Sequence, residues 1–276
     1  MFRITTPLLI AGFLLCLLPS IVDGLEEDCV LYFSFDNDEQ GLAKDGSGKG
    51  HDGDIFGVKQ VDGKFGKAYQ FGSDDGNDEK GDFIQILPHK DFSFKGGEGI
   101  TCMAWFNKSE ATEFGAIIYN RPEENRTNFG FRFEANGISW FYRDKGDAEW
   151  EGVRTPNTVK RGEWTHAAAT NTYGGGVDNM KVYVNGKLIV KEKEIGWGTG
   201  GGLDPFSIEG PVDIGGRWEG QSHLFSGIID EPSIFRRVLT EAEINEAMNE
   251  PLSVFLAVQP EGKLTTTWGA LKRRSD

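Results

Sequence analysis

Basic residues, histidines and cysteines are all scarce in this chain, and each scarcity closes off a class of chemistry. Against 43 aspartates and glutamates stand only 29 lysines and arginines, a formal net charge of −14. Such a surface repels phosphate backbones and anionic lipid while favouring solubility and divalent cations, so no nucleic-acid partner is expected. The four histidines, His51, His89, His166 and His223, are scattered, and no His-x-x-x-His pair offers a helical zinc site. A Gly-x-Ser-x-Gly nucleophile elbow is absent. Of three cysteines, Cys16 lies in an apolar leader, leaving Cys29 and Cys102 in strand-like runs. A bridge between those two and a pair of buried free thiols are both compatible with the sequence.

Long apolar runs are missing after the amino terminus, so no membrane span is expected in the body of the chain. Arg3, the apolar run at 8–18 and the small-residue end Val22-Asp23-Gly24 read as a secretory signal peptide over residues 1–24. The run falls short of the roughly 20 residues a membrane helix needs. Leu15 precedes Cys16 where a lipoprotein leader has a small residue, so a lipid anchor is not expected. A secreted or extracytoplasmic chain starting at Leu25 follows, with about 250 residues for one domain and a tail.

Helical periodicity is nearly absent before residue 240. Short apolar or alternating runs recur instead between Gly, Asn and Asp clusters, the pattern of an all-β sandwich. Twelve strands are expected, at 29–35, 68–71, 82–87, 100–106, 116–119, 129–134, 138–143, 164–170, 181–184, 188–192, 211–214 and 227–235. Thr240 and Glu243 form a capping box that opens one short carboxy-terminal helix. Asn136-Gly137 and Asn185-Gly186 suit two-residue type I′ hairpins. In the first hairpin that register sets Phe133 opposite Trp140 and Phe131 opposite Tyr142, with Arg132, Glu134, Ser139 and Phe141 sharing the other face. The aromatic face reads as core, and the Arg132 face as the place for ligand contacts.

Gly-rich or acidic loops at 72–81, 174–179 and 196–203 connect these runs; the acids at 74–79 lack EF-hand spacing and read as a solvated cluster. Beyond Pro251, the runs at 253–258 and 263–268 flank a Gln-Pro-Glu-Gly turn, so residues 251–276 read as an appended hairpin or docking tail. Asn107-Lys-Ser and Asn125-Arg-Thr fit the N-glycosylation pattern. The last strand holds the adjacent acids Asp230 and Glu231 among apolar residues, which is costly unless a cation, a basic partner or several backbone donors satisfy them. In a regular strand they point to opposite faces and cannot work as a catalytic pair.

An ordered series of segments carries a family resemblance. Leu-Tyr-Phe-Ser-Phe-Asp at 31–36 precedes Asp-Gly-Ser-Gly-Lys-Gly-His-Asp-Gly at 45–53; Gly-Lys-Ala-Tyr-Gln-Phe at 66–71, Phe-Ile-Gln-Ile at 83–86 and Ile-Thr-Cys-Met-Ala-Trp at 100–105 follow. Trp-Thr-His-Ala-Ala-Ala-Thr at 164–170, Val-Tyr-Val-Asn-Gly at 182–186, Ile-Gly-Gly at 214–216 and the 225–244 segment complete the order. Together they resemble the laminin-G-like jelly-roll family of concanavalin A-like lectins and glucanases, over roughly residues 29–248. The resemblance implies a two-sheet antiparallel jelly-roll sandwich over 25–250.

It also implies a structural calcium ion where the first and last strands meet, with Asp36, Asp45 and Asp230 as carboxylate ligands and carbonyls near Ser47 and His51 joining. His51 stands where the family commonly has Asn, and Asp45 has the competing role of capping its own turn. The glucanase signature Glu-x-Asp-x-x-Glu is absent. The expected function is a secreted, non-catalytic recognition module for a carbohydrate or an extracellular protein. Trp150, Trp197 and Trp218 are aromatic platforms for sugar stacking. Arg132 and the Arg217-Trp218-Glu219 cluster are further ligand contacts. A glycan hydrolase or lyase of the same fold, or a scaffold protein docking through its tail, are the alternatives.

Overall fold

The computed structural model describes residues 25–39, 41–72, 81–109, 114–123, 126–143, 150–175, 179–191, 196–197, 205–217, 220 and 222–257. They form two antiparallel sheets stacked as a jelly-roll sandwich. The first runs β14 (Lys187–Lys191), β13 (Lys181–Val184), β12 (Trp164–Thr172), β7 (Gly99–Lys108), β17 (Gly227–Phe235), β5 (Lys67–Phe71) and β4 (Lys59–Asp62), with β1 (Cys29–Tyr32) also paired to β17. The second runs β15 (Gly196–Trp197), β11 (Trp150–Arg154), β10 (Gly137–Arg143), β9 (Phe129–Glu134), β8 (Phe114–Asn120), β16 (Val212–Ile214), β6 (Phe83–Ile86), β3 (Gly53–Phe56) and β2 (Leu42–Ala43).

Alternating side chains from both sheets fill the space between them. Phe106 and Ile229 of one sheet pack in the same cluster as Phe131, Phe133 and Trp140 of the other. A second apolar cluster covers the outer face of the eight-stranded sheet. There Tyr32, Met103, Ala168, Tyr183 and Phe235 meet the helices α1 (Leu25–Asp28), α2 (Glu241–Asn249) and α3 (Leu252–Ala257). Thr240 and Glu243 cap α2 reciprocally, as the capping box predicts. Arg237 then ties α2 to α1 through Glu243 at 2.8 Å and Asp28 at 3.1 Å. The first eight-stranded sheet is thus backed by helices, and the nine-stranded sheet presents its outer face.

Four expectations need correction. Residues 253–257 form part of helix α3 rather than a hairpin strand, because Leu252, Phe255 and Leu256 at helical spacing drop into the second cluster. Each such burial is worth about 1.5–3 kcal/mol. The rest of the tail lies outside the described residues, as does the signal peptide. Cys29 and Cys102 are free and buried rather than bridged. Cys29 pairs with Phe235 and Cys102 with Ile234, so β17 runs between them. That places the two strands roughly 10 Å apart, and the thiols enter different clusters on opposite faces of the sheet.

The first hairpin closes one residue early. Ala135 (φ 46°) and Asn136 (φ 65°) form the two-residue loop, and Gly137 joins β10 opposite Glu134. A Cβ at Gly137 would lie 2.3 Å from the carbonyl oxygen of Thr155, so only glycine fits where the chain leaving β11 passes. Phe131 therefore faces Trp140, and Phe133 faces Ile138. The shift is two residues across the ladder, which preserves parity and leaves Arg132, Glu134, Ser139 and Phe141 on one face. The second hairpin closes as expected, with Asn185 (φ 48°) and Gly186 (φ 75°) between Val184 and Lys187.

The fourth correction concerns Asp230 and Glu231. Asp230 faces Trp105 while Ser233 faces Met103, so β17 carries one extra residue there, and Glu231 sits at φ 54°. This bulge turns both acids toward the helix-covered side, where a regular strand would have split them.

Candidate functional site

Strand alternation builds a pocket on the uncovered face of the nine-stranded sheet. Gly130 of β9 and Gly152 of β11 both stand opposite Phe141 of β10. A Cβ at Gly130 would lie 2.4 Å from the Phe141 ring, and one at Gly152 would lie 2.6 Å from its Cβ, so the two glycines make room for that ring. Tyr119 and Trp150 meet it edge-on with centroids at 5.7 and 5.4 Å. These three rings form an apolar floor.

Charged side chains rise around the floor. Glu134 accepts from Arg132 Nη2 at 2.7 Å, Ser139 Oγ at 2.7 Å and Arg154 Nη1 at 2.8 Å. Burial pushes its carboxyl upward, but the bonds from Ser139 and Arg132 and the charges of Arg132 and Arg154 prevail and hold it below the usual range. The Arg132 guanidinium lies over Phe141 at 4.6 Å and Phe114 at 4.8 Å. Arg217 lies over Tyr119 at 5.7 Å and donates from Nε to Ser222 Oγ at 2.9 Å. His223, stacked on Phe114, is driven down to about 4 by burial and by the charges of Arg217, Arg132 and Arg121, so it is neutral at pH 7.

The resulting cavity of about 510 Å³ is lined by Tyr119, Arg132, Glu134, Phe141, Trp150, Arg154 and Arg217. Among the described lining residues, three guanidinium groups stand with one carboxylate, in a protein whose net charge is −14. Planar donors above aromatic faces suit a polar ring ligand, and the excess positive charge suits an anionic group on it.

Of the residues expected to contact ligand, Arg132, Trp150 and Arg217 converge here. Trp218 and Glu219 lie outside the described residues, and for Trp197 only the backbone is described, paired to Gly152. Glu134 and Phe141 already shared the Arg132 face in the sequence. Tyr119 escaped notice because a bulge between Ala116 and Ile118 resets the alternation of β8. Arg154 escaped because β11, with a glycine at its centre, does not look like a strand.

The three carboxylates expected at a metal do not converge. Asp45 caps its own loop: it accepts from Ser47 N and His51 N, both at 2.9 Å, from Ser47 Oγ at 2.8 Å and from Tyr32 N at 3.2 Å. Asp36 and Asp230 instead flank the β4–β5 turn. Asp36 accepts from Lys67 N at 2.7 Å, and Asp230 Oδ2 accepts from Lys64 N and Phe65 N at 2.8 and 3.0 Å. Asp230 Oδ1 is buried without a hydrogen-bond partner. Burial above all, with the Asp36 charge adding, raises the Asp230 carboxyl to about 7 despite the lowering effect of the Phe65, Lys64 and Glu231 amides. Glu231 is raised to about 8, chiefly by burial; it accepts from Tyr32 OH at 3.1 Å and Leu252 N at 2.7 Å. An unpartnered buried carboxylate oxygen is what a hard cation would satisfy, which Asp230 offers, whereas the Asp45 oxygens are taken up by their own loop.

Comparison with known proteins bears on the fold. The family profile described as Concanavalin A-like lectin/glucanases superfamily, Laminin_G_3, matches residues 75–245. No curated protein matches the chain. Among solved structures, the binding domain of Paraclostridial Mosquitocidal Protein 1 superposes with TM-score 0.62 at 16% identity, covering 81% of this chain and 52% of that one. Domain 4 of AbnA, a GH43 extracellular arabinanase from Geobacillus stearothermophilus solved with arabinotriose, gives 0.58 at 20%, covering 80% and 98%. The botulinum neurotoxin serotype D ligand binding domain, solved with N-acetylneuraminic acid, gives 0.58 at 16%, covering 81% and 51%. The chain spans about half the length of these toxin domains.

Proposed function

The chain belongs to the concanavalin A-like lectin/glucanase superfamily, and from that premise we propose that it is an exported, non-catalytic recognition module that binds a carbohydrate bearing an anionic group. One observation carries this reading: Arg132, Arg154 and Arg217 surround an aromatic floor of Tyr119, Phe141 and Trp150, and Glu134 is the one carboxylate among the described lining residues. Sugar rings stack on aromatic faces, and guanidinium pairs recognise carboxylate or sulfate in a planar, bidentate way. Solved structures of similar fold include one with arabinotriose and one with N-acetylneuraminic acid, which supports a sugar ligand in general terms.

Hydrolysis fits the pocket poorly. A retaining or inverting glycosidase needs two carboxyl groups, one of them protonated at working pH. Glu134 is the one carboxylate among the described lining residues, and its oxygens are held ionised by two arginines and a serine. Export rests on the amino-terminal leader. Among the described residues no helix is long and apolar enough to cross a membrane.

A structural calcium ion belongs to the same reading. Asp36 and Asp230 would hold it with carbonyls of the adjoining turn, neutralising the buried acid and fixing β17 to the β4–β5 hairpin. The ion would supply charge compensation only.

The test is a glycan array comparing neutral, uronate-bearing, sialylated and sulfated sugars, probed with the full chain in calcium. Binding to one or more anionic classes, lost in Arg132→Ala, is expected. A blank array with capture of a defined extracellular protein would replace the carbohydrate reading.

A further inference from the structure

Two loops far from the pocket bring histidines and an aspartate together. His51 ends the loop entering β3, while His89 caps the 3-10 turn Lys90–Phe92 that follows β6 and Asp91 lies within it. Pairing of Gly53 with Ile86 sets those loops side by side. His51 Nε2 lies 3.0 Å from Asp91 Oδ2, and His89 Nδ1 lies 3.2 Å from the same oxygen. One ring nitrogen of each histidine and a carboxylate oxygen of Asp91 all fall within 4.8 Å of one another. Around tetrahedral zinc, with bonds of about 2.0–2.1 Å, ligand atoms stand roughly 3.3 Å apart. Two of the three separations are already close to that value.

The cluster is held in place by its surroundings. The His51 ring packs on buried Phe92 at 4.9 Å and on His89 at 4.4 Å, and the His51 amide is fixed by Asp45 Oδ2 at 2.9 Å. Arg236 Nη1 donates to the carbonyls of Asp91 at 2.8 Å and Ser93 at 3.1 Å, pinning the turn, while Glu98 at 2.9 Å balances the Arg236 charge. A cavity of about 430 Å³ lined by His51, His89, Asp52 and Asp54 opens onto the site. Two imidazole nitrogens and one carboxylate oxygen thus converge where a single divalent ion could be shared.

We propose that His51, His89 and Asp91 form a binding site for a borderline divalent transition metal, zinc foremost, with its remaining coordination position open to water or to a donor atom of a bound molecule. Imidazole nitrogens select such ions over calcium. The Asp91 amide donates to His89 Nδ1 at 3.3 Å, and ligation through Nδ1 exchanges that long bond for the metal. This site is separate from the Asp36 and Asp230 pair and from the aromatic pocket. It stands or falls independently of both.

The experiment uses the full chain without a polyhistidine tag, stripped with chelator and titrated with zinc chloride and, separately, calcium chloride. Calorimetry should show one equivalent of zinc, with a heat that varies with buffer because ligation releases protons. In NMR spectra of the unsubstituted protein the ring nitrogens of His51 and His89 should shift together at one equivalent, while those of buried His166 stay. Asp91→Asn and His51→Gln should weaken zinc binding by at least about tenfold, the loss typical even of outer-shell partners. Calcium should not displace the zinc. Unshifted His51 and His89 signals, or Asp91→Asn and His51→Gln variants that bind zinc as tightly as the parent, would overturn the proposal.

Discussion

Asp230→Asn should stabilise the calcium-free protein at pH 8. Asp230 is fully buried, its Oδ1 has no partner, and burial raises its carboxyl to about 7 from the ordinary 3.8. Because the folded value lies above the unfolded one, the native state binds more protons than the unfolded state across that interval. Stability therefore falls as pH rises from about 4 to about 7. At about 1.36 kcal/mol per unit, the full interval costs on the order of 4 kcal/mol, of which about 3 kcal/mol falls between pH 5 and pH 8. An asparagine keeps an oxygen for the Lys64 and Phe65 amides and never ionises. In thermal melts with chelator, the advantage of Asp230→Asn over the parent should grow by roughly 6–12 °C from pH 5 to pH 8, at about 2–4 °C per kcal/mol for a chain of this size. Calcium should reverse the order, raising the melting temperature of the parent and not of the variant; an ion at a hundred times its dissociation constant contributes about 2.7 kcal/mol. An Asp230→Asn variant that is less stable than the parent at pH 8 in chelator, by the same margin as at pH 5, would refute the buried-acid argument.

Three further substitutions probe the rest of the account. Tyr32→Phe removes a hydroxyl that donates to Glu231 and accepts from Ser253 N at 3.3 Å, so the chemical-denaturation midpoint should drop by the equivalent of about 1–3 kcal/mol. Gly130→Ala drives a methyl into the Phe141 ring; it should cost about 1–3 kcal/mol and alter the near-ultraviolet circular dichroism of the aromatic floor. Glu134→Gln removes the acid held between Arg132 and Arg154. Its folded value is depressed, so the stability it contributes is present above the unfolded carboxylate range and lost as pH falls through the folded value. The variant should be less stable than the parent at pH 7, converge with it in acid, and bind an anionic sugar more tightly in calorimetry.

Much of the sandwich was legible because alternation and turn chemistry agree along most strands. The capping box at Thr240 and the Asn185-Gly186 hairpin formed where their residues said they would. The Arg132 face was legible too, since a two-residue register shift cannot move a side chain across the sheet. What stayed hidden depends on contacts between distant segments. Gly137 enters β10 because of Thr155, a steric fact that the Asn-Gly pair alone does not carry. Bulges in β8 and β17 break the period of two, hiding Tyr119 and bringing Asp230 and Glu231 to one side. The position of β17 between β1 and β7 keeps Cys29 from Cys102. His51 meets His89 and Asp91 only because β3 pairs with β6, so no local spacing announces the cluster.

The central claim is that the uncovered face of the nine-stranded sheet receives an anionic sugar. An NMR titration of the labelled full chain with a uronate-bearing oligosaccharide from the array tests it most directly, read on the Trp150 indole and on the guanidinium groups of Arg132, Arg154 and Arg217. Saturable shifts centred on those four side chains are expected, suppressed by Arg132→Ala and weakened by salt as the charge pairing requires. Saturable shifts centred on any other surface, with those four side chains unmoved, would contradict it.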